Sequence, residues 1–504
     1  MRSAFAASSA EARLADQRRL LESLHLPFVE THISYVLFDR GYAYKVKKAV
    51  RFPFLDFTTL AAREFFCREE LRLNRRLAPA VYVDVVPITG SPEAPVIESA
   101  DHNGRGPALE YAVKMREFDQ DGLLSRVIAR DELTSSRVDE LASVVAVFHE
   151  RTPRVHGGAP YGEPRGILED ARENFTAMQA ADIDASDRAR LVQLADWTER
   201  EAARLTPEFL ARKADGFIRE CHGDLHLGNI ALVDGAVTLF DCIEFNPSMR
   251  WIDVMSDVAF LVMDLRDRNR PDLAARLLSA YLMQSGDYEG LAVLPFYTVY
   301  RALVRAKIAC LRLAQTSGGE RTSHIAEFRT YVALAQRETT RVTPAVVITH
   351  GVSGSGKSTR AQALVDSGAV AIRSDIERKR LHGLHANART DSPVGGGLYS
   401  TDADRRTYQR LSALARIIVR AGYTVVVDAA FLKRWQRDLL KTVAAEEKAR
   451  FVIAHCSAPQ AVLRDRVTQR LQHASDASEA TLDVLATQLA TEEPLGPDEQ
   501  GLAT

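Results

Sequence analysis

The spacing of apolar and polar positions changes period several times along the chain, and each change predicts a different element. Ser34–Phe38 and Tyr42–Val46 alternate about Asp39-Arg40-Gly41, the pattern of a β-hairpin. From about Leu60 to Leu77 the apolar positions recur at helical spacing, and strands are predicted around Val81–Ile88 and Tyr111–Met115. Helix formers dominate from about Gly122 to Leu210, with breakers near Thr152–Tyr161. A second hairpin is sharper: Ile230–Val233, the turn pair Asp234-Gly235, then Ala236–Phe240. Helical sequence follows from about Trp251 to Arg341. At Pro344 the character changes. A short apolar strand, Ala345–Thr349, meets a glycine-rich loop and then a helix, which is how an α/β domain opens. The main boundary is placed at residues 338–344.

Length and composition narrow the class. A chain of 504 residues predicts two to four domains, and its 46% apolar and 26% charged residues are ordinary for globular protein. The longest apolar stretches, such as Val258–Met263, fall far short of the ~18–20 residues of a membrane span. The first twenty residues carry Glu11 and Asp16 and no apolar block, unlike a secretory leader. Cys67, Cys221, Cys242, Cys310 and Cys456 are scattered and lack CxxC spacing, which argues against a disulfide framework or a structural zinc site. A cytoplasmic protein without a membrane partner is expected. The net charge of −2 hides an asymmetry: Ala345–His473 holds 21 basic against 11 acidic residues, while Ala474–Thr504 holds 7 acidic and none basic. A basic block followed by an acidic tail predicts a domain that handles anions and a tail able to mask it.

The strongest local signal is Gly351-Val-Ser-Gly354-Ser-Gly356-Lys357-Ser358-Thr359, which fits GxxxxGK[ST] between an apolar strand and a helix. Glycines let the backbone curl so that successive N–H groups face a phosphate, and the helix N-terminus adds positive potential. Lys357 reaches the terminal phosphates and the Ser358 hydroxyl can ligate Mg²⁺. Asp375 follows the next short strand, Val370–Ile372, which places it at the C-terminal edge of a parallel sheet, suited to accept a proton from a hydroxyl. Arg378, one turn later, is suited to a substrate phosphate, and Asp428, ending Thr424–Val427, to organising Mg²⁺. Arg464, Arg466 and Arg470 share a helical stretch, with 466 and 470 on one face, as in a lid that closes over a triphosphate.

The second cluster is His222-Gly-Asp224-Leu-His226-Leu-Gly-Asn229, followed by Phe240-Asp241. With Asp234-Gly235 as a two-residue turn, residue 229 lies across from 240, so Asn229 and Asp241 emerge side by side at the open end of the ribbon. An amide oxygen and a carboxylate so placed can share Mg²⁺ on a nucleotide's phosphates. Asp224 is positioned to take a hydroxyl proton, and His222 to brace the loop. Such a site also needs a cation held by a helix carboxylate. Lys45 and Lys47 lie on one face of the first hairpin, with Glu69 and Glu70 on the next helix as partners; periodicity does not choose among them.

Two resemblances follow from these motifs. Residues 345–475 resemble the P-loop kinases typified by polynucleotide and gluconate kinases, through GVSGSGKST, Asp375-x-x-Arg378 and Arg466-x-x-x-Arg470. That resemblance implies Asp375 as base and Arg378 as substrate-orienting group. Roughly residues 25–335 resemble the aminoglycoside phosphotransferase and choline kinase group, through HGDLHLGN, LFDCIEF and the acidic pair Asp253 and Asp257, which buttresses the catalytic loop. It favours Lys45 over Lys47 and Glu70 over Glu69. The fusion resembles a bacterial two-domain family. The implied architecture is an α+β bilobal, protein-kinase-like half (small lobe 1–118, large lobe 119–340), an α/β P-loop domain with a parallel sheet (345–475) and an acidic tail (476–504). The implied activity is transfer of the γ-phosphoryl of ATP to a hydroxyl of a small molecule at two nucleotide sites, with Mg²⁺. The alternatives are a P-loop half acting on nucleic-acid ends and a half that only senses nucleotide.

Overall fold

The computed structural model describes residues 2–98, 106–313, 316–340, 342–385, 401–473 and 481–504. They form two compact units that follow packing rather than chain order. The first gathers the chain up to Leu133 with Arg151–Glu163 and Lys213–Asp257; the second gathers Thr134–Glu150, Pro164–Arg212 and Val258–Thr504.

In the first unit a six-stranded antiparallel sheet runs, in spatial order, Phe28–Glu30, Ser34–Asp39, Tyr42–Lys47, Glu110–Arg116, Tyr82–Ser91 and Ala94–Ile97. The first hairpin closes as expected, with Asp39 opposite Tyr42 and Ser34 opposite Lys47. The helix Leu60–Asn74 ends three residues before the predicted stop, and Leu77 and Ala78 N–H groups turn back onto Asn74 O. A helix the pattern did not announce, Arg2–Glu22, packs Leu21 into the sheet core. Its Gln17 amide donates to Lys47 O and Glu110, both at 2.8 Å. The second hairpin keeps the mirrored register, Ile230 opposite Leu239 and Val233 opposite Ala236. Trp251–Asp253, expected as the start of a helix, is a short strand paired with Ile218–Glu220. Long-range pairing overrides local propensity there.

The second unit joins a helical layer to a parallel sheet. One apolar cluster is built by Phe260, Val299, Leu303, Phe328 and Val332 from three helices. The parallel sheet has the order Val370–Arg373, Val425–Asp428, Ala345–His350, Arg450–His455. Its two central strands are buried on both faces, as a covered parallel sheet requires. The helix Pro271–Ser285 reaches this sheet: Ser279 Oγ accepts the Ala371 N–H at 3.0 Å.

The acidic end of the chain is built into this domain. Leu482–Thr491 is a helix, Ala503 bridges to Ile453, and Glu499 forms a buried ion pair with Arg437 at 2.7 Å. Arg434 and Lys441 both take Asp498. Part of the basic excess seen in the sequence is thus neutralised inside the domain. All five cysteines are free, and no helix among the described residues is long and apolar enough to cross a membrane.

Candidate active sites

In the first unit the hairpin register brings Asn229 and Asp241 to the same end of the ribbon, because the Phe240 N–H donates to Asn229 O at 3.0 Å. The Asn229 carboxamide donates through Nδ2 to Asp224 O at 2.9 Å and to Asp224 Oδ2 at 3.0 Å, which turns its oxygen the other way. Asp224 is 40% exposed, open to an incoming hydroxyl, and His226 Nε2 lies 3.4 Å from its Oδ2. Asp241 holds a left-handed φ of 62°, and its N–H donates to the Tyr82 hydroxyl at 3.2 Å. A non-glycine residue held there marks a constrained position, and the constraint aims its carboxylate.

The loop bearing Asp224 is fixed from below. Asp257, fully buried, accepts the His222 and Gly223 N–H groups at 2.8 and 3.0 Å. His222 Nε2 lies 2.8 Å from Phe240 O, tying loop to hairpin. Gly223 has φ +88°, and a Cβ there would stand 2.6 Å from Met249 O. Asp253 accepts the Met255 N–H at 2.9 Å, within its own turn.

Both lysines use one glutamate. Lys45 Nζ bonds Glu70 Oε1 at 2.9 Å and Asp241 Oδ1 at 2.6 Å; Lys47 Nζ bonds Glu70 Oε2 at 2.7 Å and also Glu244. Lys45 keeps 15% of its side chain exposed and Lys47 none. Burial opposes both charges, but the facing carboxylates outweigh it and raise both ammonium groups above their ordinary value. Glu70, despite its burial, is pulled down to about 2 by the same two lysines. Glu69 turns away to Arg72 and Arg250. Glu244 was not singled out in the sequence; its place in LFDCIEF, three residues after Asp241, was the available signal.

In the second unit the phosphate loop takes its glycine-dependent course. Gly351, Gly354 and Gly356 have φ of 142°, 83° and 98°, and a Cβ on Gly351 would stand 2.2 Å from Cys456 O. Lys357 opens the helix Lys357–Asp366, with Nζ on Val352 O at 2.8 Å. The Asp428 carboxyl is pushed up by burial, while Arg373, Ser358 and Lys357 around it pull it back. Ser358, Thr359, Asp375, Arg378, Asp428 and Arg466 line one cavity of about 1170 Å³ with the loop. Arg378 Nη1 lies 3.4 Å from Asp375 Oδ1, and its Nη2 donates to Asp404 at 3.1 Å. Arg466 donates to Gly354 O at 3.0 Å. Arg464 is exposed, and the Arg470 side chain lies outside the described residues. Asp404, Gln436 and Gln488, also on the cavity wall, had no sequence signal, since each is brought from a distant helix.

Residues 61–294 match the model of the Phosphotransferase enzyme family, and residues 346–495 match a model described as AAA domain. The chain is therefore a fusion of a kinase-like phosphotransferase domain with a P-loop kinase domain, and an enzyme of the kinase/phosphotransferase class. A protein of Mycobacterium tuberculosis H37Rv is 29% identical over 470 residues, covering 92% of this chain and 91% of its own. An adenylyl-sulfate kinase of Geotalea uraniireducens is 36% identical over 114 residues, 22% of this chain and 49% of its own. An ethanolamine kinase of Plasmodium vivax superposes with a TM-score of 0.37 at 12% identity, covering 63% of this chain and 84% of its own.

Proposed function

We propose that each half transfers the γ-phosphoryl group of ATP to a hydroxyl of a small molecule. The observation that carries the reading is the set of contacts in the first unit: Lys45 joined to Glu70 and Asp241, and Asn229 locked onto Asp224. These are the cation, the two oxygen donors and the base that phosphoryl transfer needs.

Asn229 Oδ1 and the Asp241 carboxylate are hard oxygen donors and fit Mg²⁺, as do the Ser358 hydroxyl and Asp428 in the other half. When bound, the ion neutralises charge on the phosphate oxygens. Lys45, fixed by Glu70, holds the nonbridging oxygens of the nucleotide. The Asp224 carboxylate, held by Asn229 through Oδ2, orients the acceptor hydroxyl and takes its proton as the oxygen bonds to the γ-phosphorus and the bond to the β–γ bridging oxygen breaks, releasing ADP. In the P-loop half, Gly351, Gly354, Gly356, Lys357 and Thr359 cradle the phosphates. Asp375 takes the acceptor's proton, Arg378 orients the acceptor, and Arg466 and Arg470 stabilise the transferring charge. The ion pairs of Arg434, Arg437 and Lys441 with the chain's acidic end reduce the free positive surface that a nucleic-acid acceptor would use.

The test is Mg²⁺-dependent ATP consumption with a pooled extract of hydroxyl metabolites, comparing wild type with Asp224→Asn and Lys357→Ala. Phosphorylated products are read by mass spectrometry. Each variant is expected to lose a different product. A wild type that makes none would overturn the reading.

A further inference from the structure

The phosphate loop is held from a side that no motif announced. Its Val352–Ser353 peptide group is gripped at both ends: Val352 O accepts from Lys357 Nζ at 2.8 Å, and the Ser353 N–H donates to Gln488 Oε1 at 2.7 Å. Gln488 sits on the helix Leu482–Thr491, in the acidic segment that the sequence reads as a tail able to mask the basic domain. Two peptides along, Gly354 O takes Arg466 from the preceding helix, Gln460–His473. The two helices pack on each other and on the loop through Val352, Leu463, Val467 and Leu485.

The chemistry of the carboxamide then fixes its orientation. A backbone N–H can face only the oxygen of a glutamine side chain, so Nε2 and its two hydrogens turn away from Ser353. Among the described residues that NH2 group has no hydrogen-bond partner, and Gln488 lies on the wall of the cavity that holds the loop, Lys357 and Arg466. A pair of neutral donors beside a lysine, an arginine and a row of loop N–H groups suits one ligand class, a polyphosphate rich in acceptor oxygens.

We propose that Gln488 is a nucleotide-binding residue of the P-loop half: its oxygen is held by the Ser353 N–H, and its NH2 group donates to the phosphate chain of a bound nucleoside triphosphate. The helix Leu482–Thr491 is on this view the second arm of the clamp whose first arm carries Arg466. The proposal rests on the reading of residues 351–359 as a nucleotide site.

Gln488→Glu separates the two roles of the side chain. The carboxylate still accepts from Ser353, so the loop keeps its anchor, but the donor facing the phosphates is replaced by a negative oxygen. The experiment titrates the full-length protein with Mg²⁺ and a nonhydrolysable ATP analogue and reads amide hydrogen exchange of residues 351–360, which reports this site alone. Gln488→Glu is expected to raise the concentration for half protection about tenfold or more, from the loss of a hydrogen bond to a charged group and the repulsion that replaces it. Exchange of the same peptides without nucleotide is expected to match wild type. If Gln488→Glu titrates like wild type while Lys357→Ala loses protection, the role given to Gln488 is overturned and the loop reading stands. If Lys357→Ala also titrates like wild type, the loop reading itself fails, and the proposal with it.

Discussion

Lys45 and Lys47 stand two residues apart on one strand and bond the two oxygens of the same glutamate, yet they should fail differently when replaced. Lys47 has no exposed side-chain surface; its ammonium group lies between Glu70 and Glu244, over the face of Phe57 at 5.1 Å. Lys47→Met fills the space but leaves Glu244 buried with no direct cation and Glu70 with only Lys45. Removing one partner of a buried pair costs about 3–5 kcal/mol, because the remaining charge is left desolvated. For a unit of this size, about 2–4 °C per kcal/mol, that is roughly 6–20 °C in melting temperature. Lys45→Met leaves Lys47 on Glu70, and its other partner Asp241 is 42% exposed and can be solvated. It should therefore lower stability by much less while weakening nucleotide binding in this half. The assay is a melting curve of the first transition, followed by near-ultraviolet circular dichroism, with hydrogen exchange of residues 222–241 reporting nucleotide. A Lys47→Met protein that melts like wild type but no longer protects those residues would refute the assignment and make Lys47 the cleft cation.

Three further outcomes are expected. Gly223→Ala should destabilise the first unit by roughly 1–3 kcal/mol and sharply reduce its transferase activity, since residue 223 has a left-handed φ and a Cβ would strike Met249 O; urea denaturation and product formation check it. His350, 2% exposed and ring to ring with His455 at 5.1 Å, is pulled down to about 4 by burial, then by His455 and Arg437. Its folded-state value lies below its unfolded one, so the unfolded chain takes up the proton first. The stability this residue confers should be complete above about pH 6.5 and lost as pH falls toward 4, by roughly 3 kcal/mol at most; His350→Phe should flatten that part of a stability–pH profile. Arg437→Met should cost about 3–5 kcal/mol by leaving Glu499 buried and uncompensated, and should open the chain's last twenty residues to limited proteolysis while wild type resists it.

The sequence by itself determined those parts of the protein that depend on neighbours along the chain. The phosphate loop was legible because its glycines and lysine act within eight residues. The Asn229–Asp241 juxtaposition was legible because a two-residue turn fixes register by simple counting, and the structure keeps that count. Only the tertiary structure decided what depends on distant partners. It separated Lys45 from Lys47, because the difference lies in Asp241 and Glu244, nearly two hundred residues away, and not in the strand period. It brought Asp404 to Arg378, Gln436 to Asp404 and Gln488 to the phosphate loop, each from a helix whose own pattern reads only as amphipathic surface. It also changed the meaning of the last thirty residues. By composition they read as an acidic tail able to mask the basic block; folded, their described part belongs to that same domain, with Glu499 buried against Arg437 of the helix Arg434–Glu446, a pairing that no local pattern reveals.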